Sequence, residues 1–183
     1  SNDSDSNILM YFSPDADEKK YLTESLKLDE HTLSSALDPD ELSRVEFEPE
    51  HVAFIMKRPR NYSGNDVLFF KVASMGIFIF SDKLVIVLSE DIPLFEGKNF
   101  SKLQSLKDLT LKIIYRSILH FLEHLKIFNM VTEELESKIN KSMENKYLIN
   151  LFTLEKSLVY YLNAINSNIL VFEKLKYYSA KIG

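Results

Sequence analysis

The residues with the widest chemical reach fall into a few groups. His120-Phe121-Leu122-Glu123-His124 reads H-x-x-E-H. On a helix that spacing puts two imidazoles one turn apart beside a carboxylate, as in the inverted zinc-protease motif. A hydrolytic zinc also needs a third ligand, an open position for water and a general base. Nothing identifiable supplies them, and the motif lies within an amphipathic heptad pattern. The five residues therefore read as two helix-surface histidines near Glu123. Asp38, Asp40 and Glu41, followed by Glu46, Glu48 and Glu50, form an acidic stretch. Hard cations such as Mg²⁺ take oxygen ligands, often one or two carboxylates plus waters. The plainer reading is a solvated acidic turn and strand face. Glu133, Glu134 and Glu136 make a second acidic group on a long helix. His31 and His51 are isolated and read as capping or surface residues. The densest basic run, Lys57-Arg58-Pro59-Arg60, reads as a solvated strand end rather than a phosphate site.

Several function classes are excluded. There is no cysteine among the 183 residues, so disulfides, thiol catalysis and thiolate metal sites are absent. Such a composition fits a reducing compartment. Glycine occurs at only 64, 76 and 97 before the last residue, too sparsely for a phosphate-cradling loop. A net charge of −5 argues against nucleic acid as a partner. No run approaches the roughly 18 apolar residues of a membrane span, and no signal-peptide pattern is read. An apolar content of 45%, with 13 Phe and 9 Tyr, is ample for a core.

The elements that must position these groups follow from local patterns. Residues 1–6, SNDSDS, read as a disordered segment or tag remnant. Ile8–Phe12 reads as a buried strand. Ser13 offers an N-cap and Pro14 a first helical residue, with Asp15, Asp17 and Glu18 at the positive end of a helix to about Leu26. Asp29 caps a second helix, which Asp38-Pro39 stops because the residue before proline is pushed out of the α region. Val45–Glu48, Val52–Met56, Val67–Ala73 and Ile77–Phe80 read as strands. A turn at 61–66 precedes the third of these, and Ser74-Met75-Gly76 forms a kink or bulge before the fourth. Leu84–Leu88, LVIVL, has no polar position and is expected in the sheet interior, covered on both faces. Asp91–Asn99 is a loop. From Lys98 to Ile182 there is no proline and no glycine. Ser101 with Gln104, or Ser105 with Asp108, opens a long helix through a capping-box pattern. Apolar residues then recur at 3-4 spacing, as at Ile114, Phe121, Leu125 and Phe128, and again at Leu154, Leu158, Tyr161 and Ile165. A turn is placed at Ser142–Lys146 because two antiparallel helices bury both stripes, whereas one rod cannot. The expected fold is α/β. Residues 7–100 form a layered α/β domain, and 101–183 a long antiparallel helical hairpin.

Two segments carry a resemblance. Leu28–Phe54, LDEHTLSSALDPDELSRVEFEPEHVAF, resembles the N-terminal region of the CorA family of divalent-cation transporters, where a short helix leads through a D-P-D-like turn into an R-x-E-x strand. Leu151–Leu175, LFTLEKSLVYYLNAINSNILVFEKL, is similar to that family's second long cytoplasmic helix. The order of elements matches from about residue 8 to 182. The family's Gly-Met-Asn signature belongs to a membrane part that this sequence does not include.

The resemblance implies a cytoplasmic α/β/α sandwich with a mixed sheet, carrying two long antiparallel helices, at the inner face of the cell membrane. It implies a chain that continues past Gly183 into a stalk helix and two transmembrane helices. It further implies a homopentamer passing Mg²⁺ and also Co²⁺ or Ni²⁺, with relatives that move Zn²⁺. The excised fragment itself is expected as a monomer or dimer. Intracellular Mg²⁺ between neighbouring domains would hold the pore closed. The acidic pair that relatives carry for sensing falls, in an ungapped alignment back from Arg44-Val45-Glu46-Phe47, on Ser34 and Ser35. The candidate replacements are Asp38, Asp40 and Glu41. The expected function is thus the regulatory domain of a CorA-like magnesium and cobalt transporter, not an enzyme. The alternatives are a soluble helical scaffold and, as the one concrete enzymatic reading, zinc hydrolysis through His120 and His124.

Overall fold

The computed structural model describes residues 7–60, 68–92, 94–95, 100, 102–142 and 144–182, with side chains as far as Tyr178. Five strands form one sheet: β1 (Ile8–Phe12), β2 (Arg44–Phe47), β3 (His51–Pro59), β4 (Val72–Phe80) and β5 (Leu84–Leu88). Their order across the sheet is β1-β5-β4-β3-β2. β1 runs parallel to β5 and the remaining pairs are antiparallel, so the sheet is mixed.

Side chains alternate between the two faces along each strand. Ala53, Ile55, Phe78, Val85 and Val87 face one layer, made of Leu22, Leu26, Leu28, Leu33 and Ala36. α1 (Ala16–Lys20) leads into the π-helical turn Tyr21–Ser25, which supplies Leu22; Leu26 and Leu28 lie in the connection that follows, and Leu33 and Ala36 on α2 (Glu30–Leu37). Phe54, Met56, Met75, Ile77, Leu84, Ile86 and Leu88 face the other layer, built by Leu109, Ile113, Ile114 and Val171. These belong to α3 (Leu106–Ser142) and α4 (Asn145–Ile182). The result is the expected α/β/α sandwich, and β5 is an interior strand buried along its whole length.

The long helices pack on this second face of the sheet and extend beyond it. Ile113 meets the sheet near Val171, Phe121 and Phe128 pack on Tyr161, and Lys138 lies over Tyr147, so the pair is antiparallel. The break falls between Ser142 and Asn145, within the expected turn. α3 starts on the second capping pattern: Ser105 Oγ accepts from Asp108 N–H at 3.1 Å, and Asp108 accepts from Gln104 N–H at 3.0 Å.

Three local expectations are corrected. Asp15, not Ser13, is the N-cap of α1, and it shares a reciprocal capping box with Glu18. Ser13 instead has a positive φ of 45° and donates its N–H to Leu88 C=O at the end of β5 and its hydroxyl to Ser89 C=O just beyond it. Ser74-Met75-Gly76 is no kink, because β4 runs unbroken from Val72 to Phe80 against β3. Gly76 is needed for close approach: a Cβ there would lie 2.6 Å from Ala36 Cβ on α2 and 2.9 Å from the Phe78 ring. β3 is also longer than Val52–Met56 and takes in Lys57-Arg58-Pro59. The turn at 61–66, the Ser101 cap, residues 1–6 and Gly183 lie outside the described residues.

Candidate functional site

The acidic turn is built by the end of α2. Asp29 Oδ1 accepts from Thr32 N–H at 2.8 Å and starts the helix, and Asp38 leaves it with ψ 116° ahead of Pro39. Asp38 Oδ1 accepts from Asp40 N–H at 2.9 Å, so this carboxylate holds the turn itself. Glu41 pairs with Arg44 at 3.2 Å. Asp40 is exposed, and among the described residues its carboxylate has neither an ion pair nor a hydrogen bond. Ser34 is exposed. Ser35 is buried, donating to His31 C=O at 2.8 Å and accepting from Arg44 at 3.0 Å.

Lys57 fixes the turn from beneath. Its ammonium donates to Pro39 C=O at 2.6 Å and to Ser74 Oγ at 2.8 Å, while Ser74 Oγ donates to Asp38 C=O. Burial pulls the Lys57 pKa down, opposed by the charges of Asp38, Asp40 and Glu41. Glu46 is pushed up by burial, but hydrogen bonds from Thr32 and Arg44 outweigh that and leave it below the ordinary carboxylate range.

An open groove of about 710 Å³ runs between this turn and α4. Asp40, Glu41, Asn163, Asn166 and Glu173 are among the residues that line it. The structure thus brings two of the three expected acids, Asp40 and Glu41, to one groove whose wall is otherwise largely apolar, with Leu42, Val72, Ile169 and Leu170. Among the described residues, however, no three His, Asp or Glu side chains converge to hold a metal within one chain.

The basic strand end is not solvated. Arg58 is 2% exposed and donates to Glu90 Oε1 at 3.0 Å, while Arg60 pairs with the other oxygen of Glu90 at 3.0 Å. Strand alternation explains the split: Lys57 faces the α2 layer and Arg58 the α3–α4 layer. His51 is likewise buried, against the rings of Phe78 and Phe80, rather than a surface residue. His31 is exposed as expected.

The H-x-x-E-H histidines also differ from two surface side chains. His124 is buried and its Nδ1 shares a 2.5 Å hydrogen bond with the Tyr161 hydroxyl. Burial lowers the pKa of His124 and raises that of Tyr161. His120 is partly buried and held down at about 4 by burial, then by His124 and Arg116. Glu123 binds Arg116 at 3.0 Å. His124 is a helix-packing residue, committed through Nδ1 to Tyr161.

A polar lock between sheet and α4 escapes sequence reading. β2 begins at Arg44, opposite Ile55, so the flank of β3 at Lys57 has no strand partner on that side. Asn168 replaces the missing strand: Oδ1 accepts from Lys57 N–H and Nδ2 donates to Lys57 C=O, both at 2.8 Å. Ser43 Oγ donates to the same Oδ1 at 2.8 Å, and Ser43 N–H donates to Ser167 Oγ at 2.7 Å. A buried sheet edge must find such partners. The available signal was a Ser-Asn pair interrupting the apolar stripe of α4.

The fold and its lock define a sheet domain firmly joined to a pair of long helices, with an acidic groove at the junction. The sequence pattern of the family described as "CorA-like Mg2+ transporter protein" matches residues 3–182. The chain belongs to this family, which is one of transporters rather than enzymes. Among solved structures, the soluble domain of CorA from Methanocaldococcus jannaschii superposes with a TM-score of 0.68. It shares 22% sequence identity, over 92% of this chain and 69% of that one. The complete CorA magnesium transporter of the same organism gives a TM-score of 0.75 at 20% identity. That match covers 92% of this chain and 55% of the transporter, so this chain spans about half of its length. No curated protein matches. Among the described residues no helix is long and apolar enough to cross a membrane.

Proposed function

We propose that this chain is the cytoplasmic regulatory domain of a divalent-cation transporter, passing Mg²⁺ and, secondarily, Co²⁺ or Ni²⁺. The observation that carries the reading is the family match across residues 3–182, joined to a fold shared with the transporter's soluble domain. The full protein would continue from α4 toward a stalk and membrane helices, and would assemble as a homopentamer. In this reading 7–100 is the sensing unit and 101–183 the lever that transmits its state. Apolar side chains left exposed on both long helices, among them Leu111, Met130, Phe152 and Leu162, support burial against further helices.

In this proposal Asp40 is the principal sensing carboxylate, with Glu41 beside it and Asp38 shaping the turn. A single chain supplies too few ligands, so a neighbouring subunit completes the coordination. Mg²⁺ keeps several waters and needs only one or two carboxylates, which suits an open interfacial groove. When the cation leaves, facing carboxylates repel and the closed arrangement loses its preference. The test is Mg²⁺ inhibition of flux by the intact transporter in liposomes. Asp40→Asn is expected to move half-inhibition to higher internal Mg²⁺ by about tenfold, the equivalent of losing one charge-assisted ligand. An unchanged inhibition curve rejects Asp40 as a sensor.

The scaffold reading rests on the same exposed apolar stripes. It predicts helix-mediated association of this fragment that does not respond to divalent cations.

A further inference from the structure

The basic strand end and the first long helix enclose a second site that the acidic groove does not use. A cavity of about 70 Å³ lies between β3, the segment after β5 and α3, and its lining includes Arg58, Arg116, Ser117 and His120. One water needs only about 10–15 Å³ on this scale, so there is room for a small polyatomic ion. Arg58 is 98% buried, and its Nε has no hydrogen-bond partner among the described residues. A buried guanidinium N–H left unpaired costs free energy unless something fills the space beside it.

Both lining arginines keep N–H donors to spare among the described residues, although Arg58 pairs with Glu90 and Arg116 with Glu123, and Arg60, outside the lining, shares Glu90. Arg58 spends Nη2 on Glu90 and Nη1 on Pro59 C=O, and Arg116 reaches Glu123 through Nη1. Burial, then His124, Arg116 and Arg58, keep His120 neutral at ordinary pH, against the pull of Glu123. Arg116, with a side chain 35% exposed, stands where an ion would enter.

We propose that this cavity binds one small inorganic oxyanion, of the size of sulfate or phosphate, bridging Arg58 on β3 to Arg116 and Ser117 on α3. The bound anion satisfies the Arg58 Nε and ties the sheet to the root of the long helix.

The test uses the 183-residue chain and inorganic sulfate, which keeps its charge across neutral pH. Calorimetric titration at constant ionic strength set with sodium gluconate is expected to give saturable binding of one sulfate per chain. Arg116→Gln, a substitution at the rim that leaves the core intact, is expected to weaken binding at least tenfold. Arg60→Gln, which removes a like charge that does not line the cavity, is expected to change the affinity less than threefold. Absence of saturable binding overturns the proposal. So does equal weakening by the two substitutions, because the attraction would then be diffuse. Circular dichroism confirms that each variant is folded before titration.

Discussion

Asn168→Ala removes a side chain that makes three hydrogen bonds at the sheet edge, two of them to the backbone of Lys57 and one to Ser43. Asn168 and Lys57 are both buried, so water does not readily replace the lost partners. A buried polar group left unpaired costs about 1–3 kcal/mol. With the Lys57 N–H stranded, its C=O left to the long 3.5 Å bond from Ser117 Oγ and the Ser43 hydroxyl without its acceptor, the expected loss is about 2–5 kcal/mol. That is a large part of the 5–15 kcal/mol typical of a domain. Urea unfolding monitored by circular dichroism reads the change directly, through a lowered midpoint at similar slope. Ser167→Ala, which strands only the Ser43 N–H, should cost about 1–2 kcal/mol. A loss below about 0.5 kcal/mol for Asn168→Ala would refute the idea that this residue replaces a missing strand and anchors α4 to the sheet.

Other consequences follow from the same geometry. Gly76→Ala forces a methyl group against Ala36 and Phe78 and should destabilise by about 1–3 kcal/mol in the same unfolding assay. Lys57→Met abolishes the ammonium bridge to Pro39 and Ser74. It should raise amide hydrogen exchange at residues 40–42 more than in α3, measured by mass spectrometry. Tyr161→Phe strands His124 Nδ1 and should cost about 1–3 kcal/mol. Burial holds His51, His120 and His124 below their unfolded pKa near 6.5. The unfolded chain therefore takes up protons first. Stability should be full above about pH 6.5 and fall toward pH 4, where His120 titrates in the folded state. Thermal melts of His120→Gln should show a shallower fall over that window.

Much of the fold was legible where a local pattern and its tertiary use agree. Leu84–Leu88 carries no polar residue and lies in the sheet interior, Asp29 caps α2, and the proline- and glycine-free run forms the two long helices. The failures have a common cause in partners distant along the chain. Lys57 and Arg58 look solvated until Pro39, Ser74 and Glu90 are placed around them. Gly76 resembles a bulge until Ala36 is seen pressing on it. His124 reads as a surface residue until Tyr161 arrives from the second long helix. The acidic turn was legible as a group. Its division of labour was not, because only the folded chain ties Asp38 to the turn and Glu41 to Arg44 while leaving Asp40 uncommitted.

On the proposed function, this chain serves a divalent-cation transporter. The most direct test is Mg²⁺ uptake by cells deprived of their own Mg²⁺ transport and given the complete reading frame that encodes this domain. Growth at low external Mg²⁺ and saturable ²⁸Mg²⁺ uptake are expected. Full-length protein that reaches the membrane yet moves no Mg²⁺, Co²⁺, Ni²⁺ or Zn²⁺ would contradict the proposed function.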